Sequence, residues 1–370
     1  MLLNRPSGVA RMISYVVITW LLSSAPAWAE VTTVDGMDAP IVRIQIPAQA
    51  NVTIRTWDRP SIQVEGDTSA FTANRLPSQM VPAYLPPTPV RMGQIKGPDG
   101  TPIVLPAESF VVSNITPGLH PVVFVRAELG HEVGAITVTV PRNAALVAAN
   151  VGRGSIALHD YQNGSFIIHI NNGTAVLDNV GGDGFVQVMR GPVFATDSTL
   201  NRLRVRTALG NQIYERCNVR QIEASSVEGS IVYDGGRFGQ GLARFYSTNG
   251  NVAIGVAGGA QLGGRVAGSG RGYTFFEARA QVDNRDDGAS AIVGGGGPVV
   301  TATSGSGNVY LYDGSLRTKT RLTAEWRPAQ AALRNEMLPR RAGAPQADQT
   351  PRSTQAKKAP ANQTPRKRLR

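Results

Sequence analysis

Asp160, Asp178, Asp197, Glu215 and Asp234 fall 18, 19, 18 and 19 residues apart, each just after a short apolar alternation. Asp313 holds the same place after a later repeat. If the segments that carry them stack, these carboxylates line one edge at intervals of about 5 Å. Like charges that close repel, and each pushes its neighbours' pKa upward unless something compensates. Three readings of the row follow. Asp ends strands as a turn former that bonds the backbone. Carboxylates and turn carbonyls together hold Ca²⁺. Paired carboxylates about 5–10 Å apart hydrolyse glycosidic bonds, which makes a polysaccharide hydrolase or lyase the enzymatic alternative. No acid pair here comes with a row of substrate-binding aromatics, so the expectation is no catalytic residue and no required cofactor.

Other reactive side chains are sparse. His120, His131, His159 and His169 show no metal-ligand spacing. His159 and His169 sit at strand positions and are expected to face outward. Cys217 is the one cysteine, so no intramolecular disulfide forms. No histidine shares its place in the repeat, and it reads as a small inward hydrophobe. Arg202, Arg204 and Arg206 alternate with Leu203 and Val205. That pattern makes a basic stripe on an outer face, either solvated or touching an anionic glycan. Lys357, Lys358, Arg366, Lys367, Arg368 and Arg370 end the chain. They suit lipopolysaccharide, peptidoglycan-linked polymer or phospholipid head groups; a solvated tail is the alternative.

What must position these groups is a repeat. Gly154, Gly173, Gly191, Gly210, Gly229 and Gly250 recur at gaps of 19, 18, 19, 19 and 21 residues. Two residues after each glycine stand Ile156, Ala175, Val193, Gln212, Ile231 and Val252. Four after stand Leu158, Leu177, Ala195, Tyr214, Tyr233 and Ile254. A second strand precedes the glycine, with Ile168, Val186, Val205, Ala224 and Phe245 five residues before it. Period 2 with no 3.6 periodicity predicts strands. Units of this length cannot bury a hydrophobic face alone, but they can if they stack. The expected fold is therefore all-β: a parallel β-helix, a solenoid of about 19-residue coils with glycines at its corners. An antiparallel sandwich is the structural alternative. The register weakens after Gly250 and returns once, from Gly307 to Tyr312. Gly294 to Gly297 reads as a loose connection, because no helix follows to make it a phosphate loop.

The repeat, the lead-in Ala135–Pro141 and the early Val52-Thr53-Ile54-Arg55-Thr56-Trp57-Asp58 together resemble the bacterial exported "putative adhesin" β-repeat family. The resemblance covers roughly residues 41–313. It implies a right-handed β-helical fold and an envelope or surface location, and it implies no chemistry.

The remaining segments bound the reading. Residues 1–29 read as a signal peptide, with Arg5 and Arg11, an apolar run from Met12 to Leu22, and Ala27-Trp28-Ala29 as the cleavage site. Residues 30–140 form an N-terminal β region interrupted by a proline-rich insertion at 71–117, expected to be a surface loop. Residues 141–326 are the repeat domain, and 327–370 a short helix followed by a disordered basic tail. The net charge is +11. The tail carries 11 basic and 2 acidic residues and the leader 2 basic ones, which leaves 24 of each sign between Glu30 and Trp326. A neutral body argues against a specific nucleic-acid fold. The expectation is a non-enzymatic module with adhesin-like or structural binding, periplasmic or at the cell surface. Envelope polymers are its partners, and no membrane span remains after cleavage.

Overall fold

A computed structural model describes residues 30–35, 38–66, 71–76, 120–127, 133–276, 280–285 and 287–314. The expected leader, most of the proline-rich insertion, the short helix and the basic tail lie outside them. Six strands come first: β1 (Glu30–Val34), β2 (Ile41–Trp57), β3 (Ile62–Gly66), β4 (Phe71–Leu76), β5 (Val122–Ala127) and β6 (Ala135–Pro141). The repeat itself supplies β7 (Leu146–His159), β8 (Ser165–Asp178), β9 (Gly181–Arg190), β10 (Val193–Thr196), β11 (Thr199–Leu209), β12 (Gln212–Glu215), β13 (Asn218–Glu228), β14 (Ile231–Phe238), β15 (Ala243–Asn249) and β16 (Val252–Val256). After it come β17 (Ala260–Val266), β18 (Gly272–Phe275), β19 (Ala280–Arg285), β20 (Gly288–Val293), β21 (Val299–Ser304) and β22 (Val309–Asp313). No helix occurs among the described residues.

Every pairing between repeat units is parallel. Ile156 pairs with Ala175, Ala175 with Val193, Val193 with Gln212, Gln212 with Ile231 and Ile231 with Val252. These are the residues two places after successive glycines. The column four places after runs from Leu158 through Leu177, Ala195, Tyr214 and Tyr233 to Ile254. Both columns are buried. The antiparallel alternative therefore fails for the repeat. Followed from β8 through β9, β11, β13, β14, β12 and β10, the parallel ladders return to β8 and close a ring of seven strands.

Close stacking explains the glycines. A Cβ at Gly173 would land on the carbonyl of Gly154, and one at Gly191 on the carbonyl of Gly173. Gly173 also has φ of 151°, which other residues rarely adopt. In later units a hydroxyl supports this corner from inside: Ser247 Oγ donates to Gly229 O at 2.8 Å and Ser304 Oγ to Gly250 O at 2.8 Å. Gln212, the one polar member of its column, is also satisfied. Its Nε2 donates to Thr207 Oγ1 and Ser225 O, and its Oε1 accepts from the Tyr214 hydroxyl. Buried polar groups are tolerated on that condition.

The ends depart from chain order. β5 and β6 pair with one edge of β2 while β7 takes the other, so the N-terminal strands continue the columns of the repeat. At the far end, β21 and β22 lie between β15–β16 and β17–β18, although they follow both in sequence. Antiparallel strands then cover the outermost units. β3 lies on β6 and β4 on β5; β20 lies on β17. Open strand edges invite pairing with other chains, and these additions blunt them. The expected loop from Phe71 thus begins with a strand, β4. Apolar alternation is weak there because an edge strand has little to bury: Thr72, Asn74 and Arg75 are exposed. Gly294 to Gly297 all have positive φ, from 59° to 143°, and connect β20 to β21.

Candidate functional site

The acidic row resolves into two columns. Asp178 and Glu215 end their strands, and with Asp234 inside β14 they stand in register with His159 and Thr196. Asp160 and Asp197 sit one residue further on, in the turn. The turn column reads Asp160, Asn179, Asp197, Arg216 and Gly235, with φ of 56°, 54°, 49°, 53° and 70°. A left-handed corner selects Asp, Asn and Gly, whose short or absent side chains tolerate it. Arg216 is the exception in that column.

Each of the two columns mixes acids with donors, so the expected row reduces to one in-register pair of acids, Glu215 and Asp234. Asn179 Nδ2 donates to Asp160 Oδ1 at 2.6 Å, and Gln162 Nε2 donates to Asn179 Oδ1 at 2.9 Å. Thr196 Oγ1 donates to Asp178 Oδ1 at 3.0 Å, while His159 Nδ1 lies 3.2 Å from the other oxygen. Arg216 grips Asp197 with two bonds of 2.6 Å from Nε and Nη2, and its Nη1 lies 3.7 Å from Glu215. The expected upward drift of carboxylate pKa is reversed at Asp197. The Arg216 hydrogen bonds and charge hold it below the usual range. Asp234 is buried, 3% exposed. Tyr312 packs over Gly255 in the intervening unit, and burial pushes its phenol pKa up, with the Asp234 charge adding to the effect. Asp313 pairs with Val256, one place beyond the Asp234 column. Among the described residues, no group of three His, Cys, Asp or Glu side chains is placed to hold a metal ion.

The remaining expectations divide. Cys217 is buried in the core, where desolvation pushes its thiol up to about 12. It is a packing residue as expected. His169, expected to face outward, is buried. It is 5% exposed with Phe185 5.4 Å away ring to ring, and burial lowers its pKa to about 4. His120 Nδ1 lies 2.9 Å from Ala39 O; His131 lies outside the described residues. The arginine stripe is internally neutralised: Arg202 pairs with Asp183 at 3.0 Å and Arg204 with Glu223 at 2.9 Å. Lys357, Lys358, Arg366, Lys367, Arg368 and Arg370 lie outside the described residues.

A site the sequence reading passed over lies at another corner. Thr199, Asn218 and Arg237 stack in register, with Leu200, Val219 and Phe238 in the next column. Together with Asn201 and Arg220 they line a shallow groove of about 620 Å³. Leu200 and Val219 are 2% exposed, and Phe238 stacks on Tyr233 at 4.3 Å, so the floor is apolar and held in place. The rim is polar and exposed. Arg220 Nη1 donates to Asn201 Oδ1 at 3.2 Å, and Asn201 Nδ2 donates to Asp183 Oδ1 at 2.8 Å. Neither Arg220 nor Arg237 has a carboxylate within ion-pair distance among the described residues. A readable signal existed. One repeat before Arg202 and Arg216 stand Asp183 and Asp197, whereas one repeat before Arg220 and Arg237 stand Asn201 and Asn218.

No helix among the described residues is long and apolar enough to cross a membrane, which leaves spans made of strands unaddressed. No protein-family model and no curated protein matches the chain. A crystal structure described as a "putative cell adhesion protein" from Clostridium sporogenes ATCC 15579 shares 7% identity at a TM-score of 0.22, over 77% of this chain and 98% of that one. A likeness that weak carries no argument.

Proposed function

We propose that the chain is a non-enzymatic exported module, its parallel units wound as a right-handed β-helix, acting in adhesin-like or structural binding at the bacterial envelope. The observation that supports this reading is the use to which the carboxylates are put. Asp160, Asp178 and Asp197 each accept hydrogen bonds from side chains of an adjacent unit. Hydrolysis would need one carboxyl to deliver a proton and a partner carboxylate to attack or to activate water. These groups instead bind unit to unit, which is scaffold chemistry. The leader-like residues 1–29 support export to the periplasm or cell surface. The cations from Lys357 to Arg370 support contact with lipopolysaccharide or other anionic envelope polymers, with no specific nucleic acid and no cofactor.

Two experiments test it. The purified protein is assayed for release of reducing ends or unsaturated sugars from acidic polysaccharides, beside an Asp178→Asn/Asp197→Asn variant. The expected outcome is no turnover from either; turnover by the wild type that the variant lacks would establish the hydrolase or lyase alternative. Deleting residues 340–370 is expected to shift the protein from envelope to soluble fractions. Unchanged partitioning would remove the tail from the account.

A further inference from the structure

The arginine groove names a ligand class. We propose that it binds an acidic polysaccharide, with sugar carboxylates held by Arg220 and Arg237 and ring faces resting on Leu200, Val219 and Phe238. The inference rests on the binding-module reading above and deepens it.

Four observations carry it. The two guanidiniums are exposed beside one groove and uncommitted to acids among the described residues, in a stack where Arg202, Arg204 and Arg216 all pair across units. Guanidinium is suited to carboxylate because its fork matches both oxygens. Arg220 is also pre-positioned. The chain of hydrogen bonds from Asp183 through Asn201 fixes where its head sits, so less ordering remains to be done on binding. Next, the floor is apolar and recessed below a polar rim. A simple anion has no use for that floor, whereas a sugar ring presents C–H groups on its face and hydroxyls at its edge. Thr199 and Asn218 stand at the rim to meet such hydroxyls. Finally, Arg237 and Phe238 also line a neighbouring depression of about 170 Å³ with Gly258 and Gly259. The guanidinium therefore stands between two subsites along the stack, which fits a chain of sugars better than a single one.

The same features disfavour other polyanions. A nucleic acid needs a basic track over many phosphates, and the body between Glu30 and Trp326 balances 24 basic against 24 acidic residues. A lipid surface needs protruding apolar side chains, and Leu200 and Val219 are sunk beneath the rim.

The test is titration calorimetry of the full-length protein with trigalacturonate at physiological salt. Its methyl ester, a short duplex DNA and vesicles of anionic phospholipid serve as separate arms. The wild type is expected to bind the acid and to lose at least about tenfold in affinity for the ester. Arg220→Ala/Arg237→Ala is expected to lose at least about tenfold for the acid as well. Thr199→Trp, which fills the groove while leaving both arginines, is expected to do the same. Arg366→Ala/Lys367→Ala/Arg368→Ala is expected to stay within about twofold, because at physiological salt a short trianion gains little from the screened cations of the tail. Thermal melts matching the wild type confirm that the groove variants fold. No binding by the wild type, unchanged affinity in the groove variants, or DNA or vesicle binding that depends equally on Arg220 and Arg237 would each overturn the assignment. Turnover of the sugar by a protein whose binding still needs both arginines would sink the non-enzymatic reading instead, and leave the groove standing.

Discussion

The turn holding Asp160 and Asp197 and the groove holding Arg220 and Arg237 are built alike and do opposite things. Both are corners of the same parallel stack, both present charge, and both repeat from one unit to the next. At the acidic corner the neighbour one repeat away is a complement: Asn179 for Asp160, Arg216 for Asp197. At the groove the neighbours are Asn201, which accepts from the Arg220 guanidinium, and Asn218, which accepts from the Arg237 backbone N–H; neither neutralises its arginine. In a stacked fold a surface charge is spent or kept available according to what stands about 19 residues away.

The strongest way to break the comparison is to remove the stacking both corners depend on. Gly173→Ala places a methyl on the Gly154 carbonyl at a φ hostile to alanine. It is expected to destabilise the protein by about 3 kcal/mol or more, read as a fall in the chemical denaturation midpoint. Next comes the charge that underpins the groove. Asp183 is the acid for Arg202 and the anchor for Asn201. Its side chain is 14% exposed. Asp183→Ala is expected to lose about 1–3 kcal/mol, because a part-buried guanidinium loses its carboxylate. Arg220→Ala/Arg237→Ala, by contrast, is expected to stay within about 0.5 kcal/mol of the wild type. If the double variant were as unstable as Asp183→Ala, the distinction between engaged and free arginines would collapse.

Acid separates the buried from the exposed titrating groups. His169 has its folded pKa lowered from 6.5 to about 4 by burial. The folded state therefore binds fewer protons than the unfolded chain in that interval. Stability is complete above about 6.5 and declines as pH falls toward about 4, by on the order of 1–2 kcal/mol at pH 5. His169→Leu is expected to flatten that decline in melts taken at pH 7 and pH 5. Asp197 also has a lowered folded pKa, so its contribution holds above its ordinary value of 3.8 and is lost as pH falls below it. Its pair with Arg216 is more than half exposed on both sides. Asp197→Asn is therefore expected to remove less than about 1 kcal/mol at neutral pH. A difference from wild type that vanished already at pH 5 would assign the effect to another group.

Much of the stack was legible. The columns of Ile156, Leu158 and Ile168 follow from glycine spacing and period 2, because a shared thin interior constrains the same places in every unit. Three things were not. The placement of β21 and β22 ahead of β17 and β18 shows in the sequence only as the return of the register at Gly307, which does not say that Gly307 stacks on Gly250. The burial of the column Phe194, Ile213, Val232 and Ala253 does not follow from period-2 alternation, which accounts for one face of each strand. The split of the acidic row into two columns is hidden by the near-even gaps between its members. Measured from the glycines the acids stand 6, 5, 6, 5 and 5 places on, which already describes two columns.

Arg216 gives the finest test of the difference between the corners. It holds φ of 53°, a left-handed conformation that costs an ordinary residue about 1 kcal/mol. It is retained at a position where the adjacent units use Asn179, Asp197 and Gly235. Its two bonds to Asp197 are short, but both partners are exposed, so their contribution is also less than about 1 kcal/mol. Arg216→Gly removes the strain and the pair together, and the two should nearly cancel. The expected outcome is a melting midpoint close to wild type at pH 7. Arg216→Ala keeps the strain and loses the pair, and is expected to fall below both. If glycine proved as damaging as alanine, backbone strain would not be part of what this corner balances, and the bidentate pair would carry more than an exposed ion pair should.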